Sequence, residues 1–289
     1  MTGKAVAIAH GAATVVNAIA IGKGAAFGVD LWTKAEVKLT NEPRVITAEI
    51  TSDPKESTLL IEKTVRRVLQ RFNLEKSFGA KVKTNSNIPI AKGLKSSSAA
   101  ANATALAATA ALGKTLDDLE TVKIGVEAAF DANVTVTGAF DDACASYFGG
   151  LVISDNNKRE LITQLSLPND LTVLFHVPPK KAYTSNSDVN RLKTIKPLVE
   201  IAFEKALDGK VWEALTLNGL IYSSASNFNT SIAIDALASG AVAAGLCGKG
   251  PAVTAVVPND KVESVKAALE KYEGEILHAK LNREKAKVL

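Results

Sequence analysis

Aromatic side chains are scarce in this 289-residue chain, at 5% of its residues, and no basic run is interleaved with them. That excludes a surface that stacks bases and tracks a phosphate backbone, so nucleic acid is not an expected partner. The 34 Lys and Arg against 30 Asp and Glu leave a net charge of +4, scattered along the chain. Such a balance suits a small anionic substrate. Only two cysteines occur, Cys144 and Cys247, and neither has metal-ligand spacing around it. They read as reduced, buried thiols of a cytoplasmic protein, not as a disulfide framework. Long apolar runs are missing too. The stretch from Lys4 to Ile21 faintly resembles a leader, but His10, Gly11, Thr14 and Asn17 interrupt it, and Lys23 and Asp30 follow closely. Ser98 to Leu112 is uncharged but mostly alanine, and too short to span a bilayer comfortably. Both read as soluble core, with no membrane partner. No Gly-x-Gly-x-x-Gly follows the first strand with an acid on the second, which argues against a dinucleotide-binding dehydrogenase.

What the chain does have is enough apolar content, 47%, to bury a full core in one large domain or two intimate ones. Residues 5–9, 29–39, 45–51 and 80–84 have strand character, and 58–72 follows a helical period. Helices are expected over 98–112 and 116–133, the second capped near Thr115. After them comes an irregular, glycine-containing approach to two acids. Polar residues cluster at 155–159, where a boundary is expected, giving units 1–155 and 156–289. Beyond it, 171–177 is a buried strand, 188–207, 211–217 and 231–244 are helical, 252–257 is a strand, 260–272 an amphipathic helix, and 275–281 a last strand. This second half has the look of a split β-α-β sandwich.

Chemistry concentrates in three places. The first is Pro89-Ile-Ala-Lys-Gly-Leu-Lys-Ser-Ser-Ser-Ala-Ala100, running into the alanine-rich helix. Gly93 frees the backbone, and Ser96, Ser97 and Ser98 bring hydroxyls and N–H groups to a helix N-terminus, where the macrodipole favours an anion. A phosphate cradle is the natural reading, although the spacing is not that of a Walker A loop; a serine-capped core helix is the bland one. The second is Asp141-Asp142 among small and apolar residues. A carboxylate there can accept or orient a hydroxyl proton during phosphoryl transfer, or merely cap a turn. Upstream, Glu127 is an acid able to share Mg²⁺ with a serine hydroxyl, since Mg²⁺ takes few protein oxygens and several waters. Its plainer reading is a solvated helix residue. The third is Gly245-Leu-Cys-Gly-Lys-Gly-Pro251, whose glycines permit close approach to a ligand but which also suits a plain connector.

In this order the three resemble the motifs of the galactokinase–homoserine kinase–mevalonate kinase–phosphomevalonate kinase (GHMP) superfamily, with Ala9 to Asn17 as a degenerate first motif. The resemblance implies an α+β fold: an N-terminal GHMP kinase domain like the second domain of ribosomal protein S5, then a ferredoxin-like domain, with ATP between them. Lys95 to Ser98 and Thr137 to Asp142 are most similar to the archaeal type of shikimate kinase, which implies ATP- and Mg²⁺-dependent phosphorylation of shikimate in aromatic amino-acid biosynthesis. Carried over, Asp141 is the catalytic aspartate. Pro89, Lys92, Gly93, Leu94, Lys95, Ser96, Ser97, Ser98, Ala99, Gly248 and Gly250 surround the nucleotide. Ser97 and Glu127 hold the metal, with Asp131 as alternative to Glu127. Shikimate's carboxylate needs a basic anchor, for which Lys23, Arg191 and Lys180, paired with Lys181, are candidates. One departure stands out. Ala12 occupies a position where many members carry Lys or Arg, so any cation near the reacting hydroxyl must come from elsewhere, with Lys4, Lys23 and Lys92 as candidates. Homoserine kinase, another small-molecule kinase of the superfamily, or a non-catalytic nucleotide-binding regulator are the alternatives.

Overall fold

Alternating small and β-branched residues give the first half its frame. The computed structural model describes residues 3–168, 170–179 and 189–289. Strands β1 (Lys4–Val16) and β2 (Lys23–Thr40) form a long antiparallel pair. Strand β3 (Ile46–Ile50), helix α1 (Leu59–Arg71) and strand β4 (Gly79–Ser86) make a crossover unit, with β3 parallel to β4 and β4 antiparallel to β2. Helices α2 (Ser96–Ala111), α3 (Asp118–Asp131) and α4 (Phe140–Phe148) follow, and with α1 they share one apolar cluster with Ala7, Ala9, Ala12, Ala35 and Val37 of the sheet. A hairpin of β5 (Leu151–Asp155) and β6 (Glu160–Leu165) joins the start of β2. The polar cluster at 155–159 is therefore a hairpin turn, and the first sheet continues to Leu165, past the expected division.

The register of β1 against β2 slips between His10 and Gly11. Before the slip Ala7 and Ala9 face the helices; after it Ala12 does, while Ala13 and Val15 face the opposite core. Because side chains alternate strictly along a strand, an irregularity of this kind reassigns a whole run to the other face. Helix α2 lies over this stretch, and ten of its residues are buried. Each alanine contributes only about 0.8 kcal/mol per buried methyl-sized group, so close approach of helix to sheet, not side-chain bulk, holds it there.

The second half contains β7 (Leu171–Val177), α5 (Val189–Thr194), α6 (Lys196–Leu207), α7 (Val211–Ala225), α8 (Ser231–Ala238), β8 (Ala243–Leu246), β9 (Val253–Pro258), α9 (Val262–Leu269) and β10 (Glu275–Lys280). Its sheet runs β10-β7-β9-β8, antiparallel throughout. Val173 and Phe175 of β7 face the core shared with α6, α7 and the end of β1, while Leu174 faces the α8–α9 side. One core thus joins both halves. Strand β11 (Lys287–Val288) returns the chain to β1.

Two expected helices are shorter than their periods suggested. The helical period of 188–207 breaks at Ile195, ahead of Pro197, which sits in the first turn of α6 where its missing N–H costs nothing. The small-residue stretch 231–244 leaves the helix at Ala238 and enters β8, because alanine and glycine fit either state.

Candidate active site

The serine loop folds as its composition asks. Lys95, in the left-handed region, precedes α2, and the helix has no side-chain cap. Its first N–H groups therefore point out of the helix beside Ser96, Ser97 and Ser98 with the positive end of the dipole. They border a cleft of about 130 Å³ lined also by Gly93, Asn102, Asp142, Lys249 and Gly250. A more apolar cavity of about 210 Å³, walled by Ile50, Leu60, Ile61 and Ile90, shares Ala91, Ser96, Ser97 and Val134 with it. On the other side lies a small cleft of about 50 Å³, lined by Thr14, Asn17, Ala18, Thr137, Asp141 and Asp142 among others. Gly93, at φ +92°, lets the loop touch the late glycine loop. A Cβ there would lie 2.2 Å from the Cys247 carbonyl, and the Cys247 thiol donates back to Gly93 O at 3.2 Å.

The two acids sit in the first turn of α4, after a turn with positive φ at Gly138 and Ala139. Asp141 is 2% exposed. Its Oδ1 accepts from Asn156 Nδ2 at 2.7 Å, and Asn156 Oδ1 in turn accepts from Ser154 Oγ at 2.8 Å and the Asp141 N–H at 3.2 Å. Its Oδ2 fills the space a side chain at residue 24 would take, since a Cβ on Gly24 would lie 2.2 Å from it. Burial and the neighbouring Asp142 charge push the Asp141 carboxyl up to about 7. Asp142 instead pairs with Lys95, Nζ to Oδ2, at 2.9 Å. Burial works against the Lys95 charge, yet the surrounding Asp142, Cys247 and Asp141 leave its pKa raised. Lys249 differs. It has no ion pair or hydrogen bond among the described residues, and burial together with Lys95 lowers its pKa to about 7. Asp142 Oδ1, Asn102 Oδ1 and Thr14 Oγ1 are buried atoms without a hydrogen-bond partner, all on residues that wall these clefts.

Of the residues expected around a nucleotide, Gly93, Lys95, Ser96, Ser97, Ser98 and Gly250 line the 130 Å³ cleft. Leu94 and Ala99 are fully buried in the core and support the loop from beneath. Pro89 lines neither cavity beside the loop. Lys92 is buried and its ammonium donates to the carbonyls of Pro178 and Pro179, tying the loop to the end of β7. The Gly250 N–H is spent on Cys247 O at 2.9 Å, while Gly248 sits against the Lys95 ammonium. Glu127 is not brought to Ser97: its carboxylate is held by Arg67 at 3.3 Å and Arg159 at 3.0 Å. The alternative, Asp131, is bound by two nitrogens of Arg67 at 2.6 and 2.8 Å. The oxygens that do fit Mg²⁺ are the Ser97 hydroxyl and the orphaned Asp142 Oδ1, both on residues lining the same cleft. Among the basic candidates, Lys23 is exposed and lies 5.9 Å from the Phe203 ring centroid. Arg191 is exposed and donates to Asn227 Oδ1 at 3.0 Å. Lys180 lies outside the described residues, as does Lys181. Sequence reasoning missed Asn156, for which no local signal exists, and Lys249, whose isolation among glycines was one.

The GHMP kinases N terminal domain model matches residues 60–150. The chain is 47% identical over 284 residues to a shikimate kinase from Methanosarcina mazei, covering 98% of this chain and 96% of that protein. It is 44% identical over 285 residues to a shikimate kinase from Methanococcoides burtonii, at 98% and 97% coverage. A solved homoserine kinase from Cytophaga hutchinsonii superposes with TM-score 0.76 at 18% identity, covering 100% of this chain and 98% of that one. That last likeness is one of fold alone.

Proposed function

This chain belongs to the GHMP kinase family, and we propose that it transfers the γ-phosphoryl group of ATP to a hydroxyl of shikimate, forming shikimate 3-phosphate. The relatives named above support the acceptor. The observation that carries the chemistry is Asp141, a buried carboxylate on a small cleft beside the serine loop, with its pKa raised to about 7. A base poised there takes a hydroxyl proton near neutrality without being fully protonated itself. Asn156 fixes Oδ1, leaving Oδ2 to meet the acceptor.

Adenosine would occupy the 210 Å³ cavity, with the phosphates crossing the shared Ser96–Ser97 edge onto the N-terminus of α2. Ser97 and Asp142 Oδ1 would hold Mg²⁺, which when bound neutralises phosphate charge. Lys95 sits on the other carboxylate oxygen of Asp142, Oδ2, and leaves Oδ1 for that role. For the acceptor's carboxylate we favour Lys23, because its neighbour Gly24 abuts Asp141. No helix among the described residues is long and apolar enough to cross a membrane; the two buried free cysteines favour a cytoplasmic setting.

A coupled assay of ADP release with Mg-ATP, offering shikimate, homoserine, mevalonate or galactose, tests the proposal. Turnover with shikimate alone is expected. Activity with another acceptor and none with shikimate would keep the family and sink the acceptor. Nucleotide binding with silence on all four would favour a regulator.

A further inference from the structure

The first motif contributes no cation to the site, since Ala12 is wholly buried among the helices. Nor do the other expected sources reach the wall between the phosphate and acceptor clefts. Lys4 pairs with Glu36 at 2.9 Å, Lys92 is bound to the Pro178 and Pro179 carbonyls, and Lys23 is exposed. Five residues line both clefts: Lys95, Thr135, Ala139, Asp142 and Lys249. A phosphoryl group leaving ATP in one cleft for an acceptor in the other passes this wall. Two of the five are lysines, and Lys95 is already committed to Asp142 at 2.9 Å. Lys249 has no ion pair or hydrogen bond among the described residues.

We infer that Lys249 is a catalytic residue whose ammonium contacts the γ-phosphoryl group in flight, in place of the cation that Ala12 does not provide. The late glycine motif then does more than close the loop, because Gly248 and Gly250 hold this lysine between the clefts. The backbone around it is pinned independently, with the Ala252 N–H on Lys92 O at 3.2 Å and the Gly250 N–H on Cys247 O at 2.9 Å. A long side chain at 249 therefore starts from a fixed point, as electrostatic preorganisation requires. The inference rests on the kinase reading, so its test must separate the two.

Lys249→Met and Lys249→Gln remove the charge at similar length, and Lys249→Arg retains it. Calorimetry with Mg²⁺ would compare ADP with a non-hydrolysable ATP analogue, and steady-state kinetics would follow shikimate phosphorylation. The neutral variants are expected to lose roughly 10²- to 10³-fold in kcat. They should bind the triphosphate analogue about tenfold more weakly and ADP within about twofold, with Arg recovering part of both. A kcat within threefold of wild type, or equal weakening of both nucleotides, overturns the role of Lys249 while leaving the kinase reading intact. If the wild type ignores shikimate, the acceptor assignment fails, and the contrast between triphosphate and ADP still decides whether Lys249 meets the γ-phosphate. Melting temperatures identify any variant that fails to fold, and the Met and Gln versions serve as each other's control.

Discussion

Two pairs of acids, Glu127 with Asp131 and Asp141 with Asp142, are near neighbours in sequence and opposites in surroundings. The first pair lies on the outer side of α3, about a third exposed, and is neutralised by Arg67 and Arg159. The hydrogen-bonded Arg67 guanidinium holds the Asp131 carboxyl below its usual range. The second pair is buried at the head of α4, where desolvation and mutual repulsion push Asp141 up to about 7. One residue type is driven in opposite directions by what surrounds it. The outer pair staples α1 to α3 and to the β5–β6 turn; in the inner pair Asp141 has no ion-pair partner among the described residues.

Replacing Asp141 should separate the pairs most sharply. Asp141→Asn keeps the shape and the Asn156 contact but cannot take a proton, so kcat should fall roughly 10²- to 10⁴-fold while nucleotide affinity stays within about threefold. Kinetics and calorimetry on one preparation check both, and retention of a tenth of wild-type activity would erase the distinction. The same variant also carries a pH signature. The folded carboxyl titrates near 7 and the unfolded one at its ordinary 3.8, so the native state holds the extra proton between these values. Wild-type stability is therefore full below the unfolded value and declines as pH rises through 7. In chelator-treated protein, Asp141→Asn should melt higher than wild type by roughly a few degrees at pH 8.5, with the gap closing toward pH 5. A pH-independent gap would mean that Asp141 is not strained by its charge.

Lys95 offers the next largest effect. Lys95→Met leaves Asp142 buried without its counter-ion, which is expected to cost about 3 kcal/mol or more in denaturant unfolding. Adding Asp142→Asn should recover over half of that loss, because the penalty is the stranded charge and not missing packing. Equal stability of the single and double variants would show that solvent reaches Asp142 and that the inner pair resembles the outer one.

Much of this was readable from the chain. The small-residue helix after three serines signals its close packing and an uncapped N-terminus on a cleft, and the apolar neighbours of Asp141 signal burial. The apolar run of 171–177, ended by two prolines, gives the buried strand β7 with its bounds. What could not be read is what depends on distant partners. Nothing near Glu127 announces Arg67 or Arg159, and a helix position alone cannot say whether an acid faces a cleft or two arginines. Hairpin β5–β6 was hidden because a polar turn and a domain linker share a composition. The helix at Phe140 was hidden because it begins from two positive-φ residues instead of a polar cap. Lys95 and Lys249 look alike in sequence, each set beside a glycine loop, and only the position of Asp142 tells them apart.

The smallest predicted effect is the one that most directly tests the outer pair. Glu127→Gln removes one charge from a cluster whose members are about a third exposed, and exposed ion pairs are worth roughly 0–1 kcal/mol. Unfolding free energy should therefore drop by less than about 1 kcal/mol, and the loss should shrink with added salt, because such pairs are screened. Activity should stay within about twofold, with an unchanged Mg²⁺ concentration for half-maximal rate. A rise of tenfold or more in that concentration would return Glu127 to the metal and require the α3 face to reorganise when nucleotide binds. The salt titration of stability distinguishes the cases, since only a surface ion pair loses its contribution as ionic strength rises.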